Sequence, residues 1–275
     1  MAPKTVLITG CSTGGIGHAL VLEFQRRGHT VFATARSPSK MADLKELPNV
    51  HLMALDVVSQ VSVDAAVKQV EVKSGGKLDV LVNNAGVLFV MPALDVDIEE
   101  ARAVFETNYW GVLRVVQAFA PLVIAAKGSI LNVGSGAGDL PLPFQSMYNA
   151  SKAAQNMLSE VLRLELRPLG VKVITLMAGN VATNIAANAP PVEIPQSSVY
   201  DPVRSEIGKE MKYSDQPAAS FAKQVVDDVL GGSQGKVYRG GNSFIMKWLP
   251  SVLPEWAMDY LMLENGRGLK KMPKQ

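Results

Sequence analysis

An apolar, β-branched run, Thr5 to Thr9, leads directly into Gly10-Cys11-Ser12-Thr13-Gly14-Gly15-Ile16-Gly17, and a helical pattern begins near Gly15. A strand with no polar face must be covered on both sides, which is the situation of a strand inside a parallel sheet. Parallel neighbours need long crossovers, usually helical, so this junction alone restricts the chain to α/β topologies. The glycines let backbone approach a phosphate closely, and the free N–H groups and positive dipole end of the new helix favour an anion there. Strand, glycine turn and helix together predict a dinucleotide-binding unit. Cys11 reads as a small packing residue, since no base lies near it in sequence.

The same alternation continues along the chain. Strands are predicted at Thr30–Ala35, Val50–Leu55, Leu78–Val82, Ser129–Val133 and Val171–Met177, with helices over 59–74, about 97–126 and 146–169. No linker or repeat divides them, so one α/β domain spanning 1–275 is expected, built as a doubly wound, mainly parallel sheet. Ligands in such sheets bind at the carboxyl ends of the strands. There the second strand ends in Arg36-Ser37 rather than an acidic residue. A carboxylate would bind the ribose 2′-hydroxyl of NAD, whereas an arginine fork pairs with the 2′-phosphate of NADP, so NADP(H) is the expected cofactor. Asp56-Val57 closes the third strand, its carboxylate placed to accept a hydrogen bond from an adenine. Asn83-Asn84-Ala85-Gly86 ends the fourth, Ser135 stands in a glycine-rich loop after the fifth, and Ala178 to Thr183 follow the sixth.

Tyr148 and Lys152 are four apart at the start of the helix after the fifth strand, so they share a face. An ammonium near a phenol favours the phenolate and lowers its pKa toward working pH, which suits the tyrosine to general acid–base chemistry. No histidine is placed to complete a Ser-His-Asp triad, and a hydrolase is not expected.

With 275 residues, 48% hydrophobic and 19% charged, the chain can bury a large core, and its net charge of +2 offers no reason to bind nucleic acid. One cysteine allows no internal disulfide, which suits a reducing, cytoplasmic location. Histidine and cysteine are too scattered for a structural metal, and no uninterrupted apolar run of about 18 residues predicts a membrane span.

Taken in order, the glycine turn, Asp56, Asn83 to Gly86, Asn108, Ser135, Tyr148-x-x-x-Lys152 and Gly179 to Thr183 resemble the motifs of the short-chain dehydrogenase/reductase family over residues 4 to about 240. The resemblance implies a Rossmann fold of about seven strands and a homodimer or homotetramer paired through helices 97–126 and 146–169. It implies Tyr148 as proton donor or acceptor and Ser135 as the group orienting the substrate oxygen. Lys152 would bind the nicotinamide ribose and depress the tyrosine pKa, and Asn108 would hold a relay water. Cofactor contacts are expected from Gly10, Ser12, Thr13, Gly15, Ile16, Gly17, Arg36, Ser37, Asp56, Val57, Asn83, Ala85, Gly86, Tyr148, Lys152 and Gly179, with Val181 and Thr183 at the carboxamide. Two departures stand out. Four residues instead of three separate Gly10 from Gly15, which leaves open whether Ser12 or Thr13 holds the 2′-phosphate. Ala178-Gly179 replaces the family's Pro-Gly.

The irregular, proline-rich stretch 186–216 reads as a substrate lid with a helical patch near 202–212. Residues 243–263 are dense in Trp, Met and Leu but interrupted by charge and proline. A pocket wall or subunit interface is favoured for them over an interfacial helix on the endoplasmic reticulum or a lipid droplet. This ending and Leu142-Pro143-Phe144-Gln145-Ser146-Met147-Tyr148 resemble the branch holding steroid and retinol dehydrogenases and fungal acyl-dihydroxyacetone-phosphate reductases, implying a bulky lipophilic ketone or secondary alcohol. A polyketide or terpenoid ketoreductase would share these features. The rival from another class is an NADPH-binding sensor without turnover.

Overall fold

In the computed structural model, which describes residues 2–209 and 215–273, β1 (Thr5–Ile8) runs through the Gly10–Gly15 turn into α1 (Ile16–Arg26). Then follow β2 (Thr30–Ala35), β3 (Val50–Ala54), α2 (Gln60–Ser74) and β4 (Val80–Asn83). Next come α3 (Ile98–Phe105), α4 (Gly111–Ala126), β5 (Ser129–Val133), α5 (Ser146–Glu165), β6 (Lys172–Ala178) and the short β7 (Val181–Ala182). The chain closes with α6 (Arg204–Ile207), β8 (Gln216–Pro217), α7 (Ala218–Gly231), β9 (Gly235–Arg239), α8 (Ser243–Val252) and α9 (Glu255–Asn265). Among the described residues seven strands form one parallel sheet in the order β3-β2-β1-β4-β5-β6-β9. The order reverses between β1 and β4, and a crevice opens at such a switch point.

Successive side chains of one strand face opposite ways, so every central strand feeds two cores. Val6 and Ile8 of β1 pack with Leu20 and Phe24 of α1 and Phe221 of α7, whereas Leu7 packs with Val63 of α2 and Phe119 of α4. Each such fully buried Phe or Leu contributes about 1.5–3 kcal/mol. This explains why the strands lack polar alternation.

The helical stretch expected over 97–126 is interrupted. Asp97 caps α3 by accepting from the N–H groups of Glu99 and Glu100, and a single π turn, Glu106–Trp110, separates α3 from α4. Together the two helices are long and apolar enough to cross a bilayer by length and composition alone. In this fold Val112, Val115, Val116, Phe119 and Val123 are buried against the sheet.

A third apolar cluster lies above the strand ends, where Ile194, Val203 and Ile207 of the lid meet Phe89, Val90, Met91 and Phe144. Arg204 ties the lid to itself by donating to the Ile194 and Pro195 carbonyls at 2.6 and 2.7 Å. The helical patch expected near 202–212 covers Asp201–Ile207, and 210–214 lie outside the described residues.

Candidate active site

The crevice is assembled by polar groups that the strand ends bring together. The Thr9 hydroxyl accepts from the N–H groups of Asn84 and Ala85, both at 3.0 Å, and Asn84 Nδ2 donates to the Thr9 and Gly10 carbonyls at 2.9 Å. Gly10, at φ +73°, fits only because it has no Cβ, which would sit 2.8 Å from Ala85 Cα. A Cβ on Gly17 would stand 2.5 Å from both Asn84 Nδ2 and the Gly10 oxygen. Gly17→Ala should therefore lose about 1–3 kcal/mol through overpacking. An unchanged denaturant midpoint would show that the junction is slack. The first turn of α1 has no acidic residue, leaving its N–H groups and dipole available to a phosphate. This cradle fits a dinucleotide.

The additional loop residue has a structural use. Gly14, at φ +79°, lies against Asn184, whose backbone N–H donates to the Gly14 carbonyl at 3.3 Å and whose Nδ2 donates to the Thr13 carbonyl at 3.4 Å. On the other side the Thr13 hydroxyl donates to Asp43 Oδ1 at 2.7 Å and lies 3.0 Å from the Lys40 carbonyl. Of the two loop hydroxyls weighed for the 2′-phosphate, that of Thr13 is already engaged. Arg36 and Ser37 are exposed just past β2. Asp56 accepts from the Val58 N–H at 3.2 Å, and the Val57 carbonyl accepts from Arg114 at 2.7 Å. Cys11 donates to the Ile8 carbonyl, and burial pushes its thiol up to about 12, so it is no nucleophile at neutral pH.

At the strand-five end of the crevice the Ser135 hydroxyl hydrogen-bonds the Tyr148 phenol, and Ser135 Oγ accepts from the Ala137 N–H at 3.1 Å. Lys152 is buried, one turn along α5. Its ammonium does not meet the phenol, contrary to the expectation from spacing. Nζ donates instead to the Val133 carbonyl at 3.0 Å and to Gln155 Oε1 at 2.8 Å. The expected depression of the tyrosine pKa is likewise absent, because burial of the phenol raises it and outweighs the Ser135 hydrogen bond that lowers it. Burial alone pulls the Lys152 ammonium down to about 8.

The π turn directs Asn108 inward, where it is fully buried. Its Oδ1 accepts from the Val87 N–H at 2.8 Å, and its Nδ2 donates to the Val87 carbonyl and to Ser151 Oγ, both at 3.0 Å. Ser151 in turn donates to the Tyr148 carbonyl at 2.8 Å. Asn108 thus braces the segment after β4 and the Tyr148 turn through its side-chain amide. Asn83 belongs to a buried ladder through the sheet: its Nδ2 donates to Asn132 Oδ1, Asn132 Nδ2 to Ser159 Oγ, the Ser159 hydroxyl pairs with that of Thr175, and Thr175 donates to Glu160. At the end of β6 the N–H groups of Gly179 and Asn180 donate to the Arg239 and Gly241 carbonyls at 2.8 and 2.9 Å. The turn without proline is therefore held by the chain following β9.

These groups open into a cleft of about 1080 Å³, walled by Leu88, Val90, Leu140 and Val192 and by Met246, Leu249 and Met262 of the final helices. Val181, Thr183 and Gly86 line it as well. Residues 243–263 thus supply a pocket wall, while Val252, Trp256, Tyr260 and Leu263 face outward and are exposed. Sequence reasoning overlooked Thr9, Asn84, Gln145 and Gln155 as individual contributors. Only Gln155, three residues beyond Lys152 on its helix, carried a spacing signal.

The short chain dehydrogenase family model matches residues 4–193. The chain belongs to the short-chain dehydrogenase family. One relative of this short-chain dehydrogenase, the short-chain dehydrogenase ptmH of Penicillium ochrochloron, is 42% identical over 269 residues, 96% of this chain and 98% of the relative. The NADPH-dependent 1-acyldihydroxyacetone phosphate reductase of Schizosaccharomyces pombe is 42% identical over 210 residues, 75% of this chain and 71% of that protein. The solved short chain dehydrogenase from Burkholderia cenocepacia, a complex with NADP, superposes with a TM-score of 0.74 at 28% identity, covering 95% of this chain and 98% of the other. An oxidoreductase that binds a nicotinamide cofactor and acts on a CH–OH or C=O group follows from membership.

Proposed function

We propose that this short-chain dehydrogenase is an NADPH-dependent reductase of a bulky lipophilic ketone, running in reverse as an alcohol dehydrogenase. The observation that carries the reading is the Ser135–Tyr148 pair at the floor of a large, mainly apolar cleft. Bound NADPH would supply the hydride. The Gly10–Gly17 cradle would hold its phosphates, Arg36 and Ser12 its 2′-phosphate, and Lys152 its nicotinamide ribose, with Asp56, Asn83 to Gly86 and Gly179 to Thr183 along its length. Ser135 orients the substrate oxygen and Tyr148 donates its proton to that oxygen. A phenol whose pKa is raised by burial keeps its proton throughout the neutral range, which suits the donor role and hence reduction. The name of one relative supports an acyl-dihydroxyacetone-phosphate reductase within this reaction class, and a polyketide or terpenoid ketoreductase is the other reading.

The test is NADPH absorbance against a panel of lipophilic ketones that includes acyl-dihydroxyacetone phosphate, steroid and polyketide types. Tight NADPH binding without oxidation by any of them would favour a sensor instead. Arg36→Asp should move the ratio of kcat/KM from NADPH toward NADH by about tenfold or more, the value of one charge-assisted hydrogen bond. An unchanged ratio assigns cofactor choice elsewhere.

A further inference from the structure

Three residues before Tyr148, Gln145 lies 5% exposed in the wall of the cleft. It is the N-cap residue of α5, yet its side chain makes no cap hydrogen bond. Among the described residues its carboxamide has no hydrogen-bond partner, and its polar atoms are not sealed in the core but open onto the cleft. Its backbone, by contrast, is fixed: the N–H donates to the Leu142 carbonyl at 3.3 Å and the carbonyl accepts from the Asn149 N–H at 2.8 Å. The residue before it, Phe144, holds a left-handed φ of +62°, costly for a side chain with a Cβ. That conformation is kept by the Met91 N–H, which donates to the Phe144 carbonyl at 2.7 Å, and by the Tyr200 ring, edge-on at 5.4 Å. Backbone strain beside a site aims a side chain that relaxed backbone would point elsewhere.

An amide that opens onto a cleft and has no protein partner is free to hydrogen-bond whatever occupies the cleft, water or a polar group of a ligand. Resting on the reductase reading, we infer that Gln145 is a substrate-binding residue that recognises a second, neutral oxygen function on the ketone. A carboxamide both donates and accepts, which matches a hydroxyl or carbonyl better than a carboxylate or an ammonium. Gln145 and Tyr148 line the same cleft three residues apart in sequence, so the second oxygen belongs to the same part of the substrate as the one that Tyr148 protonates. The substrate class is then an oxygenated lipophilic ketone, such as a β-hydroxy ketone or a β-dicarbonyl, rather than a simple one.

The experiment compares a long-chain methyl ketone with its β-hydroxy counterpart, following NADPH oxidation by the wild type and by Gln145→Leu and the near-isosteric Gln145→Met. Wild type should prefer the hydroxy ketone by about 10- to 100-fold in kcat/KM. Both variants should lose that preference by losing activity on the hydroxy ketone, keep the plain ketone within about twofold, and keep the NADPH Kd and melting temperature. Equal losses on both ketones would assign Gln145 a structural role and overturn the inference. Wild type active on both ketones without preference would overturn it too, while leaving the reductase reading standing. Wild type that binds NADPH and reduces neither would sink both.

Discussion

Tyr148→Phe should lower kcat by about 10²- to 10⁴-fold, the usual value of a positioned general acid, and leave the NADPH Kd within about twofold. The phenol ring packs in the cleft while its hydroxyl reaches Ser135, so phenylalanine retains the packing and removes only the hydroxyl, the group that carries the proton. The loss should appear in kcat and kcat/KM alike, the signature of an interaction made in the transition state. Single-turnover NADPH oxidation distinguishes this from slower product release. Full turnover by the variant on any ketone that the wild type reduces would remove Tyr148 from the chemistry.

The second large effect runs in opposite directions for activity and stability. Lys152→Met should abolish most turnover and yet make the unliganded protein more stable at pH 7. Lowering a buried ammonium from an ordinary 10.5 to about 8 means that folding disfavours its charge, by roughly 3 kcal/mol at most. The sign follows from proton counts. Below pH 8 both folded and unfolded chains carry the charge and the whole penalty applies. Between pH 8 and 10.5 the unfolded chain holds more protons than the folded one, so wild-type stability rises with pH. Methionine, unbranched and apolar, fills the space without the penalty, and the Val133 carbonyl keeps its bond from Gln155 Nε2 at 3.2 Å. Denaturant melts of both proteins at pH 7 and pH 10 test this: the stability advantage of the variant should shrink at the higher pH. A variant less stable at pH 7, or a pH-independent gap, contradicts it. Such a lysine is kept for function at a cost to stability.

The limits of β2 and β5 read from sequence agree with the structure, Thr30–Ala35 and Ser129–Val133, because strands buried on both faces are apolar to their ends and stop at turn residues. Ser135 and Tyr148 come together from the loop after β5 and the start of α5, and Lys152 lies one turn along the same helix with its ammonium turned to other partners. What sequence could not show is set by geometry off the helical repeat. The π turn shifts the register at Asn108 by one residue, and no composition marks it. Phe144 offers no hint of a left-handed backbone, a conformation usually assigned to glycine or asparagine, so the aim of Gln145 was hidden. The Lys152 head was misplaced because i,i+4 spacing states which groups are able to meet. It does not state that a carbonyl at the end of β5 competes for the same ammonium.

The contact between Asn184 and the glycine loop ties two parts of the site together. Its two hydrogen bonds, 3.3 and 3.4 Å long at an exposed position, join the turn after β7, just ahead of the lid, to Thr13 and Gly14 of the phosphate cradle. Gly14 and Asn184 line the same cleft, so a shift of either segment changes the walls around both ends of whatever lies there.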